Sequence, residues 1–436
     1  MYEADCARFE LAYGKTTVSL SLPSDAVLDC LRIADAPALA TNQGQLDRQV
    51  HAALASPIGS PPLGEIVRPG ESVVVVLNDQ TRLARTELFL PALLDELNRC
   101  GVPDESITGL FALGAHRPLE RREMVELVGA AAAGRIKLVN HDCRDDAMLV
   151  RVGRTSRGNE ILVNRRLVEC DRIVLTGSIV YHFFAGFGGG RKAVVPGCAA
   201  LSTIQHNHAM MLDPAATIGR LDGNPVHEDL LEGARMVRPD FLLNVVLNEA
   251  HEIAAIFAGD FEAAHREGCA FVDRTYGVPL ARPADLVVAS CGGWPKDINV
   301  YQAQKTMDNA IEAVRPGGVV ILLAECSEGA GNDMYLEWMR RYRTPEAIAE
   351  ATRTNFQLGG HKAYAVTRLL RRAEIIMVSA MDDEAVRELL LTPAASLDAA
   401  LAMARERLGP RPTVVVMPEG GLTLPRVPSA SGLQQA

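Results

Sequence analysis

The sequence predicts an α/β protein of two domains with largely parallel sheets, and three observations predict it. Seven short runs are almost continuous in Val, Ile and Leu, the pattern of strands buried on both faces. Amphipathic segments alternate with them, as helices covering such sheets do. The chain also has 436 residues, more than one hydrophobic core usually spans.

In chain order the runs are 72–77 (SVVVVL), 107–113, 172–176 (RIVLT), 286–290 (LVVAS), 319–324 (VVILLA), 375–379 (IIMVS) and 413–417 (TVVVM). Helical patterning lies between them, at 88–99, 122–128 and 303–314. A boundary is expected near the Pro-rich stretch 277–283 (GVPLARP). It divides the chain into an N-terminal cofactor-binding domain, 1–278, and a C-terminal α/β domain, 279–411. The last run leaves 412–436 as a candidate to complete the first domain. The small, polar residues after Pro425 read as a frayed tail.

Composition narrows the function. Hydrophobic residues make up 48% and charged residues 22%, an ordinary globular balance. A net charge of −10 and a pI near 5.6 argue against nucleic-acid or anionic-membrane partners. The nine cysteines are scattered and form no C-x-x-C, as expected of reduced thiols in the cytosol. The opening MYEADCARFE has early acids and no apolar run, so a cytoplasmic location without a secretory signal is expected. No apolar run approaches the length of a membrane span.

Three polar motifs follow three predicted strands: Asp79-Gln-Thr81-Arg82, Gly114-Ala-His116-Arg-Pro118, and His182. Open α/β sheets bind ligands outside the carboxyl ends of their strands. Any one motif could be a loop acid or a helix cap, as Asp79 could be; three together favour a shared cleft.

His182 opens the richest segment, HFFAGFGGGRKAVVPG, which ends at Gly197. A Walker loop requires Gly before its Lys and Ser or Thr after it. Here Arg191 precedes Lys192 and Ala193 follows. A dinucleotide fingerprint fails too, since its last glycine would fall on Arg191 or Ala193. A flexible glycine loop with two cations remains, a fair nest for an anion. Arg191 would disfavour the protonated Lys192 amine and expose it as a nucleophile. Downstream, His208 is a candidate metal ligand and His206 the alternative. The two would share a face on a strand but not on a helix. With no ligand cluster around it, a metal at His208 would need its other ligands from a cofactor. In the second domain, Gln302 and Lys305 follow the LVVAS strand three residues apart, on one helix face. A neutral donor beside a cation suits a carboxylate with an adjacent oxygen.

These motifs together resemble the nickel-dependent lactate racemase family. The carriers are Asp79–Arg82, Gly114–Pro118, His182 through Gly197 with Lys192 ten residues after His182, His208 sixteen further on, and PKDINVYQAQK ending at Lys305. The resemblance implies two α/β domains with the site in the cleft between them, and a nickel-pincer nucleotide as cofactor. It implies that Lys192 joins this pyridinium mononucleotide through a thioamide and that His208 ligates nickel. Asp79, Thr81 and Arg82 would bind the cofactor, His116 and His182 would be the acid/base pair, and Gln302 and Lys305 would contact substrate. Phe183 stands where Tyr is common in the family, and Gly188 where Ser occurs. Such departures reshape a pocket without removing a reacting group.

The chemistry suits these residues. The C2 hydrogen of a 2-hydroxy acid is barely acidic, so removing it as hydride avoids a carbanion, and only a cofactor can accept hydride. The alcohol proton is matched to a histidine near pKa 6.5, and two enantiomers call for two histidines. The expected activity is therefore inversion of C2 of a lactate-like acid. The alternatives are the same chemistry on malate, another larger 2-hydroxy acid or a sugar acid, and, in another class, a non-catalytic carrier of a phosphorylated ligand. Expected partners are the small acid and the enzymes that make the cofactor.

Overall fold

The computed structural model describes residues 6–33, 36–354, 356–357 and 359–427. The chain divides into two compact units. One is Asp35–Asp273; the other joins Met1–Ala34 to Arg274–Ala436.

In the unit Asp35–Asp273 a six-stranded sheet runs in the order Ile253–Gly259, Phe241–Leu247, Arg172–Ser178, Val73–Leu77, Ile107–Phe111, Lys137–Asn140. All pairs are parallel except the first, an antiparallel edge. Val73–Leu77 is buried at every residue, which is why it reads as an unbroken apolar run. The helix Thr86–Arg99 crosses from this strand to Ile107–Phe111 and buries Phe89, Leu90, Leu93, Leu94 and Leu97. After Lys137–Asn140 the chain returns to the opposite flank of Val73–Leu77 with Arg172–Ser178. The winding direction therefore reverses between these two strands, and their carboxyl ends bound the crevice where such sheets bind ligands.

The other unit repeats the plan. Its sheet runs Thr392–Ala394, Ala373–Val378, Val314–Leu323, Ala284–Ser290, Val414–Met417, Val27–Cys30, with every pair parallel. Here the reversal falls between Ala284–Ser290 and Val414–Met417. Asp285 pins the start of both strands, taking bonds from Thr413 N at 2.9 Å and Thr413 Oγ1 at 2.7 Å.

This corrects the expected domain plan. Strand 414–417 does not complete the first unit; it lies beside Ala284–Ser290 in the second. The first 34 residues belong to the second unit as well: Val27–Cys30 pairs with Val414–Met417, and the hairpin Cys6–Tyr13/Thr16–Pro23 buries Leu11, Leu20 and Leu22 in the same core. Part of the expected frayed tail is ordered, since Leu424–Arg426 pairs with Gly277–Pro279; residues 428–436 lie outside the described residues. All nine cysteines are free thiols. Among the described residues no helix is long and apolar enough to cross a membrane.

Candidate active site

Seven of the nine expected site residues lie in the unit Asp35–Asp273. Asp79, Thr81 and Arg82 follow Val73–Leu77, His116 follows Ile107–Phe111, and His182 follows Arg172–Ser178. These are three neighbouring parallel strands, so the three motifs emerge along one edge, with the first and last at the reversal crevice.

Asp79 does not cap the next helix. It is 3% exposed, and one carboxylate oxygen meets His116 Nδ1. The other accepts from Thr81 N at 3.0 Å and Thr81 Oγ1 at 2.8 Å. Burial pushes the carboxyl up, but the bonds from His116 and Thr81 and the charges of His116 and Arg82 outweigh it and hold it below the usual range. Asp79 is therefore an anion, and the ring facing it donates Nδ1–H, which turns Nε2 outward as the exchangeable nitrogen. Arg82 donates to Thr81 O at 3.0 Å, completing a compact turn. The loop before His116 is fixed by Gly114 N donating to Gly197 O at 2.8 Å, and Gly197 N donates in turn to Lys192 O at 3.0 Å.

A second cluster gathers round one aromatic ring that the sequence reading did not single out. Phe184 is 2% exposed. His182 meets its ring edge-on at 4.6 Å and His208 does so at 5.0 Å, while Lys192 Nζ lies 5.8 Å from its centroid. His182 Nδ1 accepts from Ala185 N at 3.3 Å, which places the proton of its neutral ring on Nε2.

Lys192 is held well below the ordinary lysine pKa, first by burial and then by the charges of Arg82 and Arg191. That lowering favours the neutral amine, the nucleophilic form of a lysine. Arg191 is itself buried, which lowers it to about 10. It donates to Ala185 O at 2.7 Å and reaches His265 Nε2 at 3.2 Å. The loop is pinned elsewhere by Asn224 Nδ2 donating to Phe184 O at 2.9 Å and by Gly190 N donating to Asn244 Oδ1 at 2.8 Å.

His206 and His208 differ in burial. Leu201–Ala209 is a helix with His208 buried and His206 exposed; His206 instead meets Arg157 O at 3.3 Å. Beside His208, Asn207 donates to the buried carboxylate of Asp229 at 2.9 Å, and Asn159 and Thr155 bind the same group. That clamp fixes the helix and with it the direction of His208. Among the described residues no group of three or more His, Cys, Asp and Glu side chains could hold a metal ion by itself.

Gln302 and Lys305 lie in the other unit, on the helix Val300–Ala313 that follows Ala284–Ser290 at its sheet's own reversal point. Asn299 caps the helix through Gln302 N at 3.0 Å. Lys305 Nζ donates to Gln302 Oε1 at 3.1 Å, so the two side chains do share a face.

Comparison with known proteins identifies the family and the fold. Residues 13–219 match the lactate racemase N-terminal domain family and 280–423 the lactate racemase C-terminal domain family. The chain is 33% identical over 421 residues to the lactate racemase of Thermoanaerobacterium thermosaccharolyticum, covering 95% of this chain and 98% of the relative. It is 33% identical over 420 residues to the lactate racemase of Lactiplantibacillus plantarum, covering 94% and 98%. The solved lactate racemase apoprotein from T. thermosaccharolyticum superposes with a TM-score of 0.87 at 32% identity, covering 96% of this chain and all of that one. A Thermotoga maritima protein shares the fold at a TM-score of 0.63 and 19% identity, covering 91% of this chain.

Proposed function

The chain belongs to the lactate racemase family and is an isomerase, and on that footing we propose that it inverts C2 of a 2-hydroxy acid such as lactate with a nickel-pincer nucleotide held by Lys192 and His208. The observation that carries the reading is the meeting of Lys192, His208 and His182 round the ring of Phe184.

The residues fit such a group. Lys192 is an amine whose charged form is disfavoured by burial and by two cations, and the neutral form is the one in which an amine forms a covalent bond. His208 offers one imidazole where, among the described residues, no protein cluster of metal ligands exists, so a metal there would bring its remaining ligands, as a pincer does. Arg82, with Thr81 beside it, and Arg191 both act on Lys192 as positive charges, and cationic surroundings suit the phosphate of a nucleotide. When bound, this cofactor supplies the reversible hydride acceptor that no side chain can offer.

Proton movement falls to the two histidines. His116 presents an Nε2 lone pair because its Nδ1–H is committed to Asp79. His182 keeps Nε2 for proton exchange because its Nδ1 lies against Ala185 N. His116 takes the alcohol proton of one enantiomer and becomes an imidazolium, while His182, entering as the imidazolium, gives a proton to the oxygen and becomes neutral; the opposite enantiomer reverses the roles. Asp79 stabilises the imidazolium formed at His116 and keeps that ring in one orientation, as the carboxylate of a Ser-His-Asp triad does. Lys305, steadied by Gln302, anchors the substrate carboxylate.

The test is intact-mass and nickel analysis of protein co-expressed with cofactor-making enzymes. We expect a mass increment mapping to Lys192, nickel at one equivalent, and interconversion of the lactate enantiomers. Full nickel loading that survives Lys192→Ala combined with His208→Ala would overturn the assignment.

A further inference from the structure

We infer that His265 is a positioning residue for Lys192: its ring grips the glycine loop 188–191 and so keeps the guanidinium of Arg191 beside the amine. The inference rests on the reading above only in taking Lys192 as the amine that forms a bond.

His265 lies on the helix Ala263–Tyr276, one turn before Cys269. It is 2% exposed and packs against the backbone of Gly190, where an added Cβ would stand 2.5 Å from the Cγ of the ring. Only a glycine lets the loop come so close. His265 Nε2 lies 2.8 Å from Gly188 O and 3.2 Å from Arg191 Nη1. One ring nitrogen cannot donate to a carbonyl and accept from a guanidinium at once. The shorter contact takes the proton, so Nε2–H donates to Gly188 O. The lone pair is then on Nδ1, which Cys269 Sγ approaches at 3.8 Å. Arg191 therefore rests against a neutral ring.

That grip matters because Arg191 has few other holds. It is 1% exposed. It donates to Ala185 O at 2.7 Å and to Gly189 O at 3.4 Å, and its Nε has no partner. Among the described residues no carboxylate acts on it. A buried cation without a counter-charge is costly, so it stays inside only while the loop around it is held. Both carbonyls belong to the segment that His265 closes at Gly188. With Arg191 fixed, Lys192 faces two cations, Arg191 and Arg82, and its own charged form is disfavoured. The charges acting on His265 are those of Arg191, Arg266 and Lys192, and Arg266 is itself paired with Asp222 and Glu262. His227, on the helix Pro225–Val237, feels Arg191, Arg266 and Arg235. A charged ring at 265 would add to this repulsion, whereas a neutral one holds the loop without it.

The test uses the cofactor-free chain and the rate at which acetic anhydride labels Lys192, located by peptide mass and followed across the lysine titration range. The plateau of the profile reports access to the amine and its midpoint reports the charge. We expect the wild-type midpoint to lie below the ordinary lysine value of about 10.4. His265→Leu should move it up towards that value. His265→Gln, whose amide nitrogen takes the place of Nε2–H, should leave it near the wild type's. Arg191→Met should move it in the same direction as His265→Leu, and adding His265→Leu to Arg191→Met should move it no further, because the ring acts through the guanidinium. A ring that only fills space would lower the melting temperature in His265→Leu and leave the midpoint unmoved, and that result overturns the inference. A wild-type midpoint at the ordinary value overturns it too, as does a midpoint unmoved by Arg191→Met, which decides the matter where His265→Leu does not fold. No nickel or hydroxy acid enters the measurement, so its outcome stands apart from the racemase reading.

Discussion

Asp79 and His116 act as one unit. The buried carboxylate has few ways to satisfy its charge, and the imidazole is the partner that also faces outward. Losing the ring removes a proton carrier from both directions of the reaction, so His116→Ala should lower turnover of either enantiomer by about 10²–10⁴-fold. Asp79→Asn keeps the shape but not the charge, and should cut turnover in both directions with the fold intact. The same substitution should change acid stability. The folded carboxyl lies below its unfolded value, so its contribution is present above the ordinary Asp range, near pH 4, and is lost as pH falls through the depressed folded value. Denaturation curves at pH 7 and pH 3.5 should therefore converge more for Asp79→Asn than for the wild type. Much of this centre was legible in the sequence, because acids, histidines and lysines after apolar runs stand out. Phe184 was not, because a phenylalanine in a glycine-rich loop announces no chemistry until its neighbours are known. Asn244 left a fainter trace, as a lone polar residue in the run FLLNVVL; it is fully buried and holds the glycine loop.

At the level of elements, the loop from His182 to Lys192 has a shape that particular residues enforce. Gly186 has φ +75°, and a Cβ there would stand 2.0 Å from the carbonyl oxygen of Arg220. Backbone cannot retreat as a flexible side chain can. Gly186→Ala should cost about 1–3 kcal/mol of stability and displace Phe184 two residues away. Thermal melting, with the rate of chemical labelling of Lys192, would check it; an unchanged melt and labelling rate would show that the loop tolerates the methyl group. The elements themselves were read with uneven success. Each of the seven apolar runs contains or overlaps a strand, since a strand buried on both faces cannot hide its composition. The hairpin Cys6–Tyr13/Thr16–Pro23 escaped because most of its residues are exposed or half-buried, leaving only weak alternation. Val27–Cys30 escaped because its partner, Val414–Met417, lies almost the whole chain away, and local patterning carries no information about that pairing.

For the whole molecule, acid sensitivity should begin well above the carboxylate range. His227 is held near 2, chiefly by burial, and His265 and His361 near 3 for the same first reason. Each stays neutral in the folded chain while the unfolded chain takes up a proton near pH 6.5. Stability is therefore undiminished above that value and falls as pH drops below it, by up to about 1.4 kcal/mol per pH unit for each ring. Between pH 6.5 and 5 the ordinary carboxylates stay ionised, and the buried Asp308, raised to about 6, gains stability as pH falls and so offsets one of the three rings. The melting temperature should fall across this window, and His227→Gln should make the fall shallower. A melting temperature flat from pH 7 to pH 5 would contradict the burial of these rings.

The pairing of Val27–Cys30 with Val414–Met417 also sets the order of events during synthesis. A ribosome releases the opening hairpin and strand first, yet the sheet that receives them is not made until the chain is nearly finished. The stretch between Asp35 and Asp273 meets all its strand partners long before then. It can assemble while the N-terminal segment waits, until Val414–Met417, the last strand of the later sheet to emerge, pairs with Val27–Cys30.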